Sequence, residues 1–211
     1  MSKVSNWRVV LIVAAVACLG PTMAHAIPIV VNGDFETPGG AVVGGGAGYT
    51  IYSSITGWTS TIGGGIEIQV DPTAGLALSP THKVELDSTS NSNMYQDLGT
   101  VSGQAYTLSF FYSPRPGVSD TSNGIRVFWN GGLLAPTITD VGGGGTVWTE
   151  KSYLVYGTGL DRLEFLAVGT SDSYGGYLDD VSVEPVPEPG TLLLLGSGLT
   201  GLAMRRRRRS S

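Results

Sequence analysis

Residues 106–112 read YTLSFFY, which sets Tyr106, Leu108, Phe110 and Tyr112 on one side of the chain and Thr107, Ser109 and Phe111 on the other. That two-residue period is the signature of a β-strand with one buried face. The stretch IRVFWN repeats it, with Ile125, Val127 and Trp129 opposite Arg126 and Phe128. Short segments rich in Val, Ile, Tyr, Phe and Thr, each bounded by turn residues, predict strands at 29–35, 49–55, 65–70, 82–87, 93–98, 105–112, 124–130, 147–156, 160–168 and 177–184. No helical period competes with them. The connections are glycine-rich, at 39–40, 44–46, 63–65 and 142–145, and permit tight turns. None of them stands between a strand and a helix or carries the Lys-Ser/Thr pair of a phosphate loop. The pattern predicts an all-β fold of two packed antiparallel sheets, a β-sandwich. Periodicity alone leaves a jelly roll and an immunoglobulin-like sandwich both open.

The chain starts with Lys3 and Arg8, an apolar run over 9–19 and the small-residue site Ala24-His25-Ala26. This three-part pattern predicts a secretory signal peptide over 1–26, read by the Sec translocation machinery and cut after Ala26. A lipoprotein reading through Cys18 is the alternative. Cys18 is the single cysteine, so the mature chain would hold no thiol, which excludes disulfides and thiolate chemistry. Between residues 27 and 185, sixteen Asp and Glu face only Lys83, Arg115, Arg126, Lys151 and Arg162, a formal charge of −11. So acidic a module repels phosphate backbones, which argues against nucleic acid as a partner. About 160 residues are enough for one domain with a sizeable core.

Two stretches narrow the sandwich further. The mature N-terminus reads VVNGDFETP, Gly57-Trp58 follows, and the region closes on GGYLDDVSVEP. If Val181 and Val183 face the core, alternation puts Asp179 on the same inward side, where a carboxylate needs a partner. Asp34, Glu36, Asp179 and Asp180 are hard oxygen donors suited to Ca²⁺. The alternative is a set of solvated turn and edge acids. The motifs resemble the galactose-binding-like, carbohydrate-binding jelly rolls, over residues 27–184. That resemblance implies a jelly-roll sandwich with a structural calcium between its first and last strands, held by Glu36 with Asp179 or Asp180, and with Asp34 nearby.

A glycan-binding face needs aromatic planes and hydrogen-bonding side chains. Trp58, Tyr95, Gln96, Arg115, Trp129 and Trp148 are the candidate ligand-binding residues, although Trp58 also fits an ordinary core position and Arg115 a solvated loop cation. Tyr95 and Gln96 must lie on opposite faces of their strand. Catalysis has little support: His82 is the single histidine of the region 27–185, and there is no G-x-S-x-G elbow. We therefore expect no enzyme, with no catalytic residues assigned.

The tail reads VPEPGTLLLLGSGLTGLAMRRRRRSS. The prolines of 186–189 mark an extended linker. Fifteen uncharged residues over 190–204 give a helix of about 22 Å, a marginal membrane span. Arg205, Arg206, Arg207, Arg208 and Arg209 must stay on the cytoplasmic side of the membrane. Pro187-Glu188-Pro189, the apolar stretch and the arginine cluster together resemble the PEP-CTERM sorting signal of Gram-negative bacteria. The resemblance implies an inner-membrane-inserted precursor, processing by an exosortase, and delivery to the cell surface or extracellular matrix. The expected function is a secreted β-sandwich over 27–185 that binds or organises extracellular polysaccharide. A structural or adhesive biofilm-matrix protein and a small glycosidase are the alternatives.

Overall fold

The computed structural model describes residues 29–39, 48–187, 190 and 197–198, so the expected signal peptide and most of the tail lie outside it. Its strands are β1 (Tyr49–Tyr52), β2 (Ser54–Ile55), β3 (Trp58–Thr59), β4 (Ile66–Val70), β5 (His82–Glu85), β6 (Asn93–Gly99), β7 (Ala105–Ser113), β8 (Gly124–Trp129), β9 (Gly132–Leu133), β10 (Thr149–Tyr156), β11 (Leu160–Val168) and β12 (Tyr177–Pro185). They build two six-stranded antiparallel sheets. Sheet A runs β1-β4-β5-β12-β7-β10 and sheet B runs β2-β3-β6-β11-β8-β9. No described helix is long and apolar enough to cross a membrane.

The alternation read from residues 106–112 holds. Tyr106, Leu108, Phe110 and Tyr112 of β7 are buried between the sheets, and Leu163, Phe165 and Ala167 of β11 meet them from sheet B. Phe110 packs edge-on against Phe165 with ring centroids 4.9 Å apart. Trp58 lies 6.1 Å from Phe165 and 5.9 Å from Phe35, so an aromatic row joins the two sheets to the N-terminal segment. Each such side chain contributes about 1.5–3 kcal/mol by leaving water.

Three expectations need correction. Residues 29–35 form no strand: Asn32 and Phe35 adopt positive φ and interrupt the extended run. The segment nonetheless lies beside β12, with Ile29 N–H donating to Val183 O and Val181 N–H donating to Gly33 O. The approach is so close that a Cβ on Gly33 would sit 1.9 Å from Val181 O. The segment 49–55 divides between the two sheets as β1 and β2.

The third correction concerns Asp179. Asp179 pairs with Phe111 and Ser182 with Ser109, so two residues of β12 oppose Phe110 alone in a β-bulge. The extra residue, Asp180, has φ of 50°. Leu178, Val181 and Val183 all face the core because of it, and Asp179 lies on the outer face of sheet A with Tyr177. Strict alternation had put Asp179 inside.

Candidate functional site

The outer face of sheet A carries the densest set of polar side chains among the described residues. Its interior face takes Ile66, Ile68, Val84, Leu108, Phe110 and Leu178, and alternation sends Glu67 and Gln69 of β4, Lys83 and Glu85 of β5, Tyr177 and Asp179 of β12, and Phe111 of β7 outward. Loops arch over this face. Thr146 Oγ1 donates to Leu76 O at 2.8 Å, Trp148 Nε1 donates to the same oxygen at 3.1 Å, and Gly117 N–H donates to Gly143 O at 2.9 Å.

The face has two regions. At the β7–β10–β12 side an open groove of about 510 Å³ is bounded by the N-terminal segment on one side and β10 on the other. Half-buried Phe111 and the hydroxyls of Ser109 and Ser182 line it, together with Asn32. Its ionisable lining groups are carboxylates alone: Asp34, Glu150, Asp180 and Glu184. Trp148 lies two residues before Glu150 and is half-buried.

The second region spans β4, β5 and β12. Glu85 stands directly between Glu67 and Tyr177 in the strand register. Its Oε2 accepts from Gln69 Nε2 at 2.6 Å and also pairs with Arg115 Nη1, and its Oε1 accepts from Gly175 N–H at 2.5 Å. The Arg115 guanidinium lies 4.7 Å from the Tyr174 ring and 6.0 Å from that of Tyr177. Lys83 Nζ is buried beside them, donating to Thr73 O and Gly75 O and lying 5.1 Å from the Tyr177 ring.

The sequence candidates distribute unevenly. Arg115 and Trp148 lie on this face. Tyr95 lies on sheet B, half-buried under the Arg162 guanidinium, which is 3.8 Å from its ring. Trp58, 1% exposed, and Trp129, 8% exposed, belong to the core and are not available to a ligand. Their indole N–H groups donate to Asn32 O and Tyr156 O, both at 3.1 Å. Gln96 also points inward and works as a structural clamp: Val31 N–H donates to Gln96 Oε1 at 2.8 Å and Gln96 Nε2 donates to Val31 O at 3.0 Å. Gly57 has φ of 81°, and a Cβ there would meet Val31 O at 2.7 Å and Gln96 Nε2 at 2.8 Å. The Asn-Gly-Asp-Phe-Glu and Gly-Trp motifs therefore fasten the N-terminal segment to the sandwich.

The carboxylates expected to serve calcium are placed as clamps. Glu36 accepts from the N–H groups of Thr81 and His82 at 2.9 and 2.7 Å, and its other oxygen meets Thr81 Oγ1 and His82 Nδ1 at 3.0 and 2.6 Å. Burial works against its ionisation, yet these hydrogen bonds hold its pKa below the usual value. Asp179 accepts from Leu78 N–H, Ser79 N–H, Ser79 Oγ and Asp180 N–H. Burial pushes Asp179 up to about 6 despite those bonds. Donor hydrogens thus occupy the oxygens of Glu36 and Asp179 that a cation would need, whereas Asp34 and Asp180 line the groove. Among the described residues no group of three or more His, Cys, Asp or Glu is placed to hold a metal ion.

Sequence reasoning did not single out Phe111 or Glu85 on this face. The outward-facing Phe111 in an otherwise polar alternation was the available signal, because an aromatic side chain on the non-core face of a strand needs another reason to be there.

Residues 185–209 match the PEP-CTERM protein-sorting motif. Pro187, Glu188, Pro189 and the five arginines fall within that match, and of them only Pro187 is among the described residues. In this chain the protein-sorting motif directly follows β12, the last strand of the two-sheet β-sandwich.

Over 158 residues, 72% of this chain, the sequence is 30% identical to a multifunctional-autoprocessing repeats-in-toxin protein of Vibrio vulnificus, and over 99 residues, 46% of the chain, it is 34% identical to that of Vibrio cholerae serotype O1. The matches take up 3% and 2% of those proteins, so the chain spans a very small part of the curated relatives it resembles. Among solved structures, the Stig cyclase FisC of Fischerella sp. TAU, in complex with (3Z)-3-(1-methyl-2-pyrrolidinylidene)-3H-indole, shares the fold with a TM-score of 0.55 at 15% identity, covering 78% of this chain and all of that one. A family 35 carbohydrate-binding module of Clostridium thermocellum gives a TM-score of 0.44 at 17% identity, covering 64% of this chain and 96% of that one. TmCBM61 in complex with beta-1,4-galactotriose gives 0.46 at 15% identity, covering 76% and 100%.

Proposed function

We propose that the mature protein is a non-enzymatic, surface-displayed or matrix-bound β-sandwich that binds extracellular polysaccharide in the groove on the outer face of sheet A. The observation that carries this reading is the groove itself: an open concavity of about 510 Å³ with Phe111, hydroxyls and carboxylates along it, on a chain that carries an exosortase sorting motif. An aromatic ring flanked by acceptors suits the alternating apolar and hydroxyl faces of a pyranose. Carboxylates without a lysine or arginine in the lining favour neutral or basic sugars and repel acidic ones. Export through the Sec machinery, insertion of the tail into the inner membrane of a Gram-negative cell and release into an extracellular matrix complete the reading.

Incubating the purified protein with a panel of immobilised neutral, acidic and amino-sugar polysaccharides tests it. Retention on neutral or amino-sugar polymers, lost on changing Phe111 to Ala, is the expected outcome. Absence of retention at about millimolar sites would sink it.

A further inference from the structure

Glu67 and Glu85 are direct cross-strand partners on β4 and β5, 5% and 0% exposed respectively. Like charges directly opposite each other in a sheet destabilise it, and burial removes the water that would screen them. One amide nitrogen bridges the two: Gln69 Nε2 donates to Glu67 Oε1 at 2.8 Å and to Glu85 Oε2 at 2.6 Å. The same amide's Oε1 is buried without a hydrogen-bond partner, so acceptors outnumber donors in this part of the face.

The charges around the pair do not balance it. Arg115 is the cation in contact with Glu85, and Asp87 adds a further carboxylate to the field of both glutamates. Lys83 on β5 is committed to Thr73 O, Gly75 O and Asp71. Tyr49 of β1, Tyr177 of β12 and Tyr174 of the preceding loop face the cluster, Asp179 lies farther along β12 under its own four donors, and Asp172 packs on Asp87 through its N–H.

We infer that Glu67 and Glu85 hold one proton between them at neutral pH, and that this shared proton latches the loops carrying Arg115 and Tyr174 onto sheet A. Glu85 takes Arg115, Gln69 and Gly175 N–H, and Glu67 takes Gln69 and a hydrogen bond shared with Glu85, so one proton lies between the two carboxyls. The latch follows from Glu85: one oxygen holds the backbone of Gly175, the other holds Arg115, and Arg115 stacks on Tyr174. Burial, the largest cause, raises both carboxyls, Glu85 to about 8, and the upper titration belongs to the pair rather than to one residue.

The sign of the response is fixed by linkage. A proton held more tightly in the closed state than in the open one stabilises closure below the ordinary carboxylate pKa and is lost as pH rises through the closed-state value. Opening of the loops should therefore increase by up to roughly tenfold per pH unit between about pH 5 and pH 8, then level off. Rising pH loosens this edge of the face; falling pH tightens it.

The test is limited proteolysis and hydrogen exchange of residues 113–118 and 171–176 in the purified full-length protein from pH 5 to pH 9. These are measured alongside Glu67→Gln, an isostere of the protonated acid, and Glu85→Gln. In the wild type both segments open progressively up to about pH 8. Glu67→Gln remains closed and flat across the range, and Glu85→Gln is open already at pH 5. Should Glu85→Gln fail to fold, Glu67→Gln with carbon-13 titration of the glutamate carboxyls decides alone. One glutamate carboxyl that remains protonated above pH 7 in the wild type, and is absent from Glu67→Gln, supports the latch. Full ionisation of both carboxyls by pH 6, or a Glu67→Gln opening profile parallel to the wild type, overturns it.

Discussion

Asn32 and Trp58 are joined through a hydrogen bond of 3.1 Å from the indole Nε1 to the Asn32 carbonyl, which draws the N-terminal segment over the aromatic row of the core. Asn32 also accepts Thr37 N–H on its side-chain oxygen and donates to Thr56 O, so one residue ties the segment in three directions. Replacing Trp58 with Ala removes the ring that contacts both Phe35 and Phe165, and should cost about 3–5 kcal/mol in chemical denaturation. A loss below about 1 kcal/mol would show that Trp58 is not the core residue described here.

Gly57 makes the same point from the backbone. Its φ of 81° and the contacts awaiting a Cβ predict that Gly57→Ala lowers stability by about 1–2 kcal/mol or more, read from the denaturation midpoint. A neutral substitution would mean that Val31 and Gln96 are not held against this turn.

The clamps made by Glu36 and Asp179 yield a prediction about metal. Because their oxygens receive N–H and O–H donors from residues 78–82 and Asp180, the melting temperature should be the same in EDTA and in excess calcium. A ligand that binds only the folded state raises that temperature by mass action, so a calcium-dependent rise would contradict the clamp and restore these residues as metal ligands.

Asp161 anchors the opposite end of sheet B. It accepts from Thr100, Asn130 and both the N–H and hydroxyl of Thr158. Burial alone would raise its pKa, but these hydrogen bonds outweigh burial and bring it down to about 2. A lowered carboxylate stabilises the fold above its unfolded value and loses that contribution as pH falls toward 2, about 2 kcal/mol in all. Asp161→Asn should flatten the acid limb of the stability curve between pH 4 and pH 2. An unchanged acid limb would count against the hydrogen-bonded cage.

The sheet-level architecture was legible because the core strands keep strict alternation: residues 106–112 lie in β7 with the expected face inward, and the strand expected at 160–168 is β11. The faces of Tyr95 and Gln96 were legible for the same reason. Asp179 was misplaced because a bulge changes the parity of β12, and a bulge leaves no mark in the apolar pattern beyond the adjacent Asp179-Asp180 pair. The two-residue strands β3 and β9 are too short to show any period. Of the candidate ligand residues, Arg115 and Trp148 lie on the outer face of sheet A, whereas Trp58, Gln96 and Trp129 turned inward. Residue type alone does not separate a stacking platform from a core aromatic.

Arg162 provides a control on the opposite face. Its exposed guanidinium pairs with exposed Asp97 at 2.7 Å and stacks on half-buried Tyr95. Arg162→Ala should change stability by less than about 1 kcal/mol and leave polysaccharide retention unaltered. Retention lost in this variant would move the binding face to sheet B.

The central claim is that the groove along Phe111 holds polysaccharide, and the affinity of the purified protein for a neutral polysaccharide, with and without Phe111→Ala, tests it most directly. Titration calorimetry should give a Kd of about millimolar or tighter for the wild type and a loss of about tenfold or more for Phe111→Ala, with melting temperatures of the two kept close. Equal affinities in the two proteins, or no heat of binding with any neutral or amino-sugar polymer, would contradict the claim.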